Sequence, residues 1–304
     1  MTLDQYLEQE AQVRSHCHFH DGVWWKRASW GCCQPLYPLQ EIVPGAARPN
    51  PFKSFIRYEH AIPGGGTPAV RTKTRLMIAG DKLENYDLQS IPDRKRRQAI
   101  NKAVRCGIKI GRILDLEKHR GDLQEIYVSN AARNQHGLPA QWYVEHEAQW
   151  WRNLVREHAL PGRDWFGAFS GDKLVAFLYN CLVEDTAVML VAKGNKAYLV
   201  SDPNDLLWHE AILHYRELAA CRRIDAGWAI HVPPTIDWRK RSLGFADVEI
   251  PVFAHANPLA LGVVRGVLRL ARPVLDSPRF AANRGWVFRG RVIQRRLDEL
   301  SRGD

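Results

Sequence analysis

Between Asp164 and Phe253 the sequence is punctuated so closely that the order of its elements can be read residue by residue, and no other part of the chain restricts the fold as much. Trp165 to Phe169, Leu174 to Cys181 and Ala187 to Ala192 are apolar runs of strand length. Ser170-Gly171-Asp172-Lys173 and Glu184-Asp185-Thr186 lie between them, and turn residues in those places predict an antiparallel meander. Past Lys193-Gly194-Asn195-Lys196, a short extended piece ends at Val200. The period then changes. Asp202 suits a helix N-cap, and Pro203 suits the first helical position, where a missing N–H costs nothing. Leu207, Ala211 and Leu218, with Trp208, Ile212 and Tyr215, give that helix its buried stripe. Arg222 to Gly227 predicts a buried strand parallel to its predecessor, Thr235 to Leu243 a small helix stopped by Gly244, and Ala246 to Phe253 a closing strand.

The rest of the chain is less regular. Met1 to Val13 reads as a short peripheral helix. His16, His18 and His20 would share one face of a strand, near Cys32 and Cys33, which admits a metal site; the pattern has no recognised ligand spacing, and histidines in a half-buried strand are more often hydrogen-bonded structural residues. Trp24, Trp25 and Trp30, followed by five prolines through Pro51, describe a packed irregular segment. Phe52 to Glu59 and Val70 to Ala79 read as strands joined through Gly64-Gly65-Gly66, a hairpin tip rather than a phosphate loop because no GKS or GKT follows. Pro92 opens a helix that Gly107 stops, and Ile108 to Ile113 follows as a strand. Leu116 to Asn134 and Gln141 to His158 are further helices.

A chain of 304 residues can bury a large core, and no run approaches the roughly 20 apolar residues of a membrane span. The polar N-terminus is unlike a signal peptide, so the expected location is the cytoplasm. Six cysteines without a CxxC read as reduced thiols, and Cys181 and Cys221 as packing residues. The formal charge of +10 is concentrated: Ser90 to Arg112 carries +7 and Gly262 to Asp304 carries +6, so the remainder is slightly acidic. Each basic segment could meet a polyanion, an acidic carrier protein or a membrane surface, or simply be a solvated helix face. In the second, Arg265, Arg269 and Arg272 share one side of an amphipathic helix over Leu259 to Leu270, which fits either peripheral membrane contact or docking on the core.

The element order from Trp165 to Phe253 resembles the GNAT acyltransferase superfamily, and in detail its FemAB-like branch of acyl- and aminoacyltransferases, in which two GNAT-like units share a chain. The residues that carry the likeness are Asp202-Pro203-Asn204-Asp205-Leu206-Leu207-Trp208, Arg223-Ile224-Asp225-Ala226-Gly227 and Arg239-Lys240-Arg241-Ser242-Leu243-Gly244-Phe245. Lys95-Arg96-Arg97 through Gly107 likewise resembles the basic helix before the second unit of such proteins. The resemblance implies an α/β (α+β) fold, a GNAT-like mixed sheet flanked by helices, divided into a degenerate first unit over 1–90, a transferase unit over 91–255 and a basic helical extension over 256–304. It implies no tightly bound cofactor. An acyl donor would serve as co-substrate, supplied as aminoacyl-tRNA, acyl carrier protein or an acyl-CoA. One departure bears on the donor: the Q/R-x-x-G-x-G/A spacing that holds the pyrophosphate of acetyl-CoA is missing from Ala192 to Ser201, which moves the expectation from free acetyl-CoA to a carrier-bound group.

Acyl transfer to an amine needs a placed donor, a polarised carbonyl and a deprotonated nucleophile, with no covalent enzyme intermediate. Asp225, at a strand end, and His209, two turns into the helix, are the candidate bases; both also suit structural roles. Ser201 and Asn204 are candidates for the carbonyl or carrier, and Lys193, Lys196, Lys240, Arg96 and Arg97 for its carboxylate or phosphates. No GxSxG elbow supports a serine nucleophile. The reading from another class is a GNAT-like fold without chemistry that binds RNA, a carrier protein or a membrane surface through its basic segments.

Overall fold

The computed structural model of the chain describes residues 1–14, 16–27, 32–49, 57–63, 71–133, 139–229 and 234–257, with 262, 263 and 266. The triple glycine, the helix expected over Leu259 to Leu270 and almost all of the basic extension lie outside the described residues. The chain divides into two compact units that alternate along the sequence: 1–9 with 74–248, and 10–73 with 249–304.

In the larger unit six strands run in the order β5 (Arg71–Ala79), β10 (Arg223–Trp228), β9 (Thr186–Gly194), β8 (Lys173–Val183), β7 (Arg163–Ser170) and β6 (Ile108–Arg112), with the first three residues of β5 belonging to the other unit. The meander is as the turn residues dictate. Ser170 faces Lys173 across Gly171-Asp172, with Gly171 at φ 60°, and Val183 faces Thr186 across Glu184-Asp185. β8 is buried along nearly its whole length because helices cover both of its faces. On one face α3 (Arg94–Arg105) and α7 (Pro203–Glu217) enclose Leu76, Ile78, Phe166, Ala168, Leu178 and Ile224. On the other, α4 (Arg120–Arg133) and α6 (Glu147–His158) pack on Trp165, Leu174, Phe177 and Tyr179.

Several local expectations shift by a turn. α3 starts at Arg94, since the Asp93 carboxylate accepts from the Lys95 N–H at 2.7 Å and leaves Pro92 outside the helix. The expected Gln141–His158 helix is broken at His146, which leaves the helical region (φ −112°, ψ 34°) and separates α5 (Ala140–Glu145) from α6. The piece ending at Val200 is not extended. Residues Lys196–Ser201 form a 3₁₀ helix capped by Asn195, whose side chain accepts from Ala197 N, so the parallel partner of β10 is β9 itself.

The smaller unit orders its strands β1 (Cys17–His20), β2 (Val23–Arg27), β3 (Cys32–Pro35), β4 (Arg57–Ala61) and β11 (Ala246–Ala256), with the first three residues of β11 belonging to the larger unit and Val252 to Ala256 pairing with β4. Asp21 and Gly22, both at positive φ, close the β1–β2 hairpin. Its core gathers Val23, Trp25, Cys33, Ile42 and Tyr58. His18 and His20 do share β1, yet among the described residues no group of three or more His, Cys, Asp or Glu side chains is arranged to hold a metal.

Candidate functional site

The parallel pair β9 and β10 is bonded over three rungs only: Thr186 with Arg223, Ala187 with Ile224 and Val188 with Asp225. Beyond Asp225 the two strands part, although β9 runs on to Gly194 and β10 to Trp228. A bulge in β9 helps to turn it away, since Met189 faces Asn180 and Val191 faces Tyr179, leaving Leu190 as the extra residue. On the β10 side, Gly227 at φ 92° allows a second irregularity between Asp225 and Trp228. The result is a splay whose facing strand edges hold backbone groups with no ladder partner, beside the crossover helix α7.

Residues 94–231 match the family model described as an acetyltransferase (GNAT) domain. Over that segment the chain is similar to a GNAT domain. Among solved structures, FemX shares 9% identity over 86% of this chain and 93% of its own, with a TM-score of 0.54. The C-terminal domain of a putative lysylphosphatidylglycerol synthetase from Agrobacterium fabrum shares 11% identity over 87% and 93%, with a TM-score of 0.51. At such identities the likeness is one of fold. No curated protein matches.

Within the matched segment, Asp225 occupies the last rung at the apex of the splay and is 1% exposed. Arg75 from β5 grips it with two hydrogen bonds, Nε to Oδ1 at 3.0 Å and Nη2 to Oδ2, and the Gly227 N–H donates to Oδ1 at 2.9 Å. A carboxylate so occupied holds the guanidinium and the Gly227 turn in place, which suits a positioning role better than that of a base. Lys240, from α8 (Pro234–Ser242), donates from Nζ to the Ala226 carbonyl at 2.6 Å, so it stands at the same apex. Burial lowers its pKa, against the opposing pull of Asp237 and Asp225. His209 lies inside α7, 5% exposed, with Nδ1 3.4 Å from the Tyr86 hydroxyl, and burial lowers its pKa to about 4. It is a neutral core imidazole facing Tyr86.

The start of α7 holds a second cluster. Asp202 is the N-cap, but its left-handed backbone (φ 51°) carries the carboxylate away from the helix N–H groups and to 3.8 Å from Lys102. Asp205, fully buried, receives Arg96 Nη1 at 2.6 Å and Arg239 Nε at 2.7 Å, while Arg96 also covers the Trp238 ring at 4.7 Å. Arg97 donates to the Ile91 carbonyl. The two arginines expected to reach for a carrier are therefore engaged within the domain. Ser201 Oγ donates to Tyr198 O at 2.9 Å, closing its own turn. Asn204 lies against Gly194, where a Cβ would overlap its amide. Lys193 turns to α4, with Nζ 5.0 Å from the Tyr127 ring centre, and burial lowers its pKa. Lys196 stays exposed, and its backbone N–H is held by Ser129 Oγ at 2.6 Å.

The structure thus brings Asp225 and Lys240 together at the apex and sets Asn204 beside the end of β9, while His209, Lys193 and the two arginines have other partners. Sequence reasoning missed Arg75, Asp205 and Arg239. Arg75 and Asp225 are 150 positions apart, Arg96 and Asp205 are 109 apart, and no local pattern marks such pairs.

Proposed function

We propose that the protein is an acyl- or aminoacyltransferase that moves an acyl group from a carrier to an amine at the splay between β9 and β10. The parting of the strands beyond the Val188–Asp225 rung carries this reading, because the two strand edges no longer pair with each other there and can offer backbone donors to a carrier's arm. A carbonyl placed there accepts from backbone N–H groups, which stabilise the oxyanion as the amine nitrogen attacks. The tetrahedral centre then collapses, the bond from the acyl carbon to the carrier's sulfur or oxygen breaks, and the proton lost by the amine passes through solvent to the leaving group. Placement supplies most of what this reaction needs.

A carrier-bound donor, an aminoacyl-tRNA or acyl carrier protein, suits the site better than free acetyl-CoA. At the start of α7, where a GNAT pyrophosphate would seek backbone N–H groups, Pro203 removes one donor and Asp202 adds a carboxylate, while Asp205 is already held between Arg96 and Arg239. Incubating the full chain with acyl-CoAs, acyl carrier proteins and charged tRNAs, and following deacylation of each, tests the reading. Turnover with one carrier class is expected. Silence with all of them, accompanied by salt-sensitive binding to RNA or anionic vesicles, would replace it with a binding module.

A further inference from the structure

We propose that Arg75, with Lys240 beside it, anchors a carboxylate or phosphate group of the substrate at the apex of the splay. Arg75 is 2% exposed and immobilised from two sides, by the bonds to Asp225 and by the Trp228 ring, whose centre is 4.4 Å from its guanidinium carbon. Nε and Nη2 are used, yet Nη1 is buried and meets no acceptor. A buried cationic donor without an acceptor is costly, and such a group calls for a partner, whether a water or a ligand. Lys240 adds a second cation at the same apex. Lys240 Nζ donates to a neutral carbonyl, and burial together with the nearby Arg75 charge lowers its pKa against the pull of Asp237 and Asp225, so a bound anion would offset the crowding of the two cations.

An oxyanion would complete both groups. The guanidinium offers a planar donor already oriented by Asp225, the ammonium a point charge that turns to follow the ligand. The cations are tied to consecutive residues, Asp225 and Ala226, where β9 and β10 begin to part. Trp228 and Lys240 remain partly exposed beside the buried guanidinium. The inference deepens the transferase reading and rests on it for taking the occupant to be a substrate.

Calorimetric titration of the full chain with inorganic phosphate, N-acetylglycine and the uncharged N-acetylglycinamide tests it without any carrier. At least one anion should bind, the amide at least about tenfold more weakly, and which anion binds separates a phosphate from a carboxylate occupant. Arg75→Lys should weaken anion binding by about tenfold, since a lysine cannot hold Asp225 and the ligand together. Lys240→Gln, which leaves the Arg75–Asp225 pair whole, should also weaken it and decides the matter where Arg75→Lys does not fold. Lys118→Gln, at an exposed position, should bind as the wild type does. No anion binding, equal binding of the amide, or unchanged binding in a folded Lys240→Gln would overturn the proposal. Because these readouts need no turnover, absent deacylation with intact anion binding would count against the transferase reading alone.

Discussion

His209 shows how burial decides a residue's chemistry. An imidazole on the wet side of a helix would titrate near neutrality; here burial holds its pKa at about 4, so the folded chain binds fewer protons than the unfolded one between roughly pH 4 and pH 6.5. Stability from this group is present above the unfolded value and is lost as pH falls through that window. On moving from pH 7 to pH 5, the loss is on the order of 2 kcal/mol. Urea unfolding at the two pH values should show a smaller decline in His209→Gln than in the wild type, and equal declines would mean that the ring is hydrated. Asp225 makes the complementary point: the sequence suggests a strand end, whereas the residue lies within β10 at the end of its pairing with β9, and its bonds to Arg75 suit it to hold a cation.

At the scale of elements, the join of β9 to α7 depends on an exchange of space between Gly194 and Asn204. A Cβ on Gly194 would overlap the Asn204 amide, so Gly194→Ala should cost about 1–3 kcal/mol in chemical denaturation. Most of that loss should vanish in the Asn204→Ala background, giving a coupling of about 1 kcal/mol or more in the double-mutant cycle. Additive losses would show that the glycine matters for its backbone alone. Asn130 Nδ2 donates to the Gly194 carbonyl at 2.7 Å, so α4 secures this end of the splay from the opposite face. The sequence marked the glycine and the helix start as turn and cap. It did not show that the residues between them close into a 3₁₀ helix, because that choice follows from bonds to Ser129 and Asn130, more than sixty positions away.

For the whole molecule, the charge of +10 acquires a more specific meaning once the buried cations are set aside. Arg96 and Arg97 serve internal carboxylate and carbonyl groups, whereas Arg94, Lys95 and Arg105 stay exposed on α3. If the carrier is a polyanion, reversing those three to Glu should weaken its binding by at least about tenfold and flatten the dependence of Kd on salt, measured by fluorescence anisotropy in low and high salt. Unchanged affinity would move the contact to another surface. Among the described residues no helix is long and apolar enough to cross a membrane.

The sequence by itself determined the local alphabet of the fold: the two tight turns of the meander, the start of α7 at Pro203, though not a cap by the Asp202 side chain, and the glycines that stop α3 and α8. Each rests on the intrinsic conformational preference of one or two residues, which neighbouring sequence expresses directly. Tertiary structure decided the rest of the site. Only the folded sheet places β5 next to β10, and so brings Arg75 to Asp225; only the combination of a bulge in β9 and a positive φ at Gly227 parts the two strands beyond that pair. Such features arise from contacts across long stretches of chain, where the energy of burying a charge or ending a ladder is settled by partners that the neighbouring sequence cannot name.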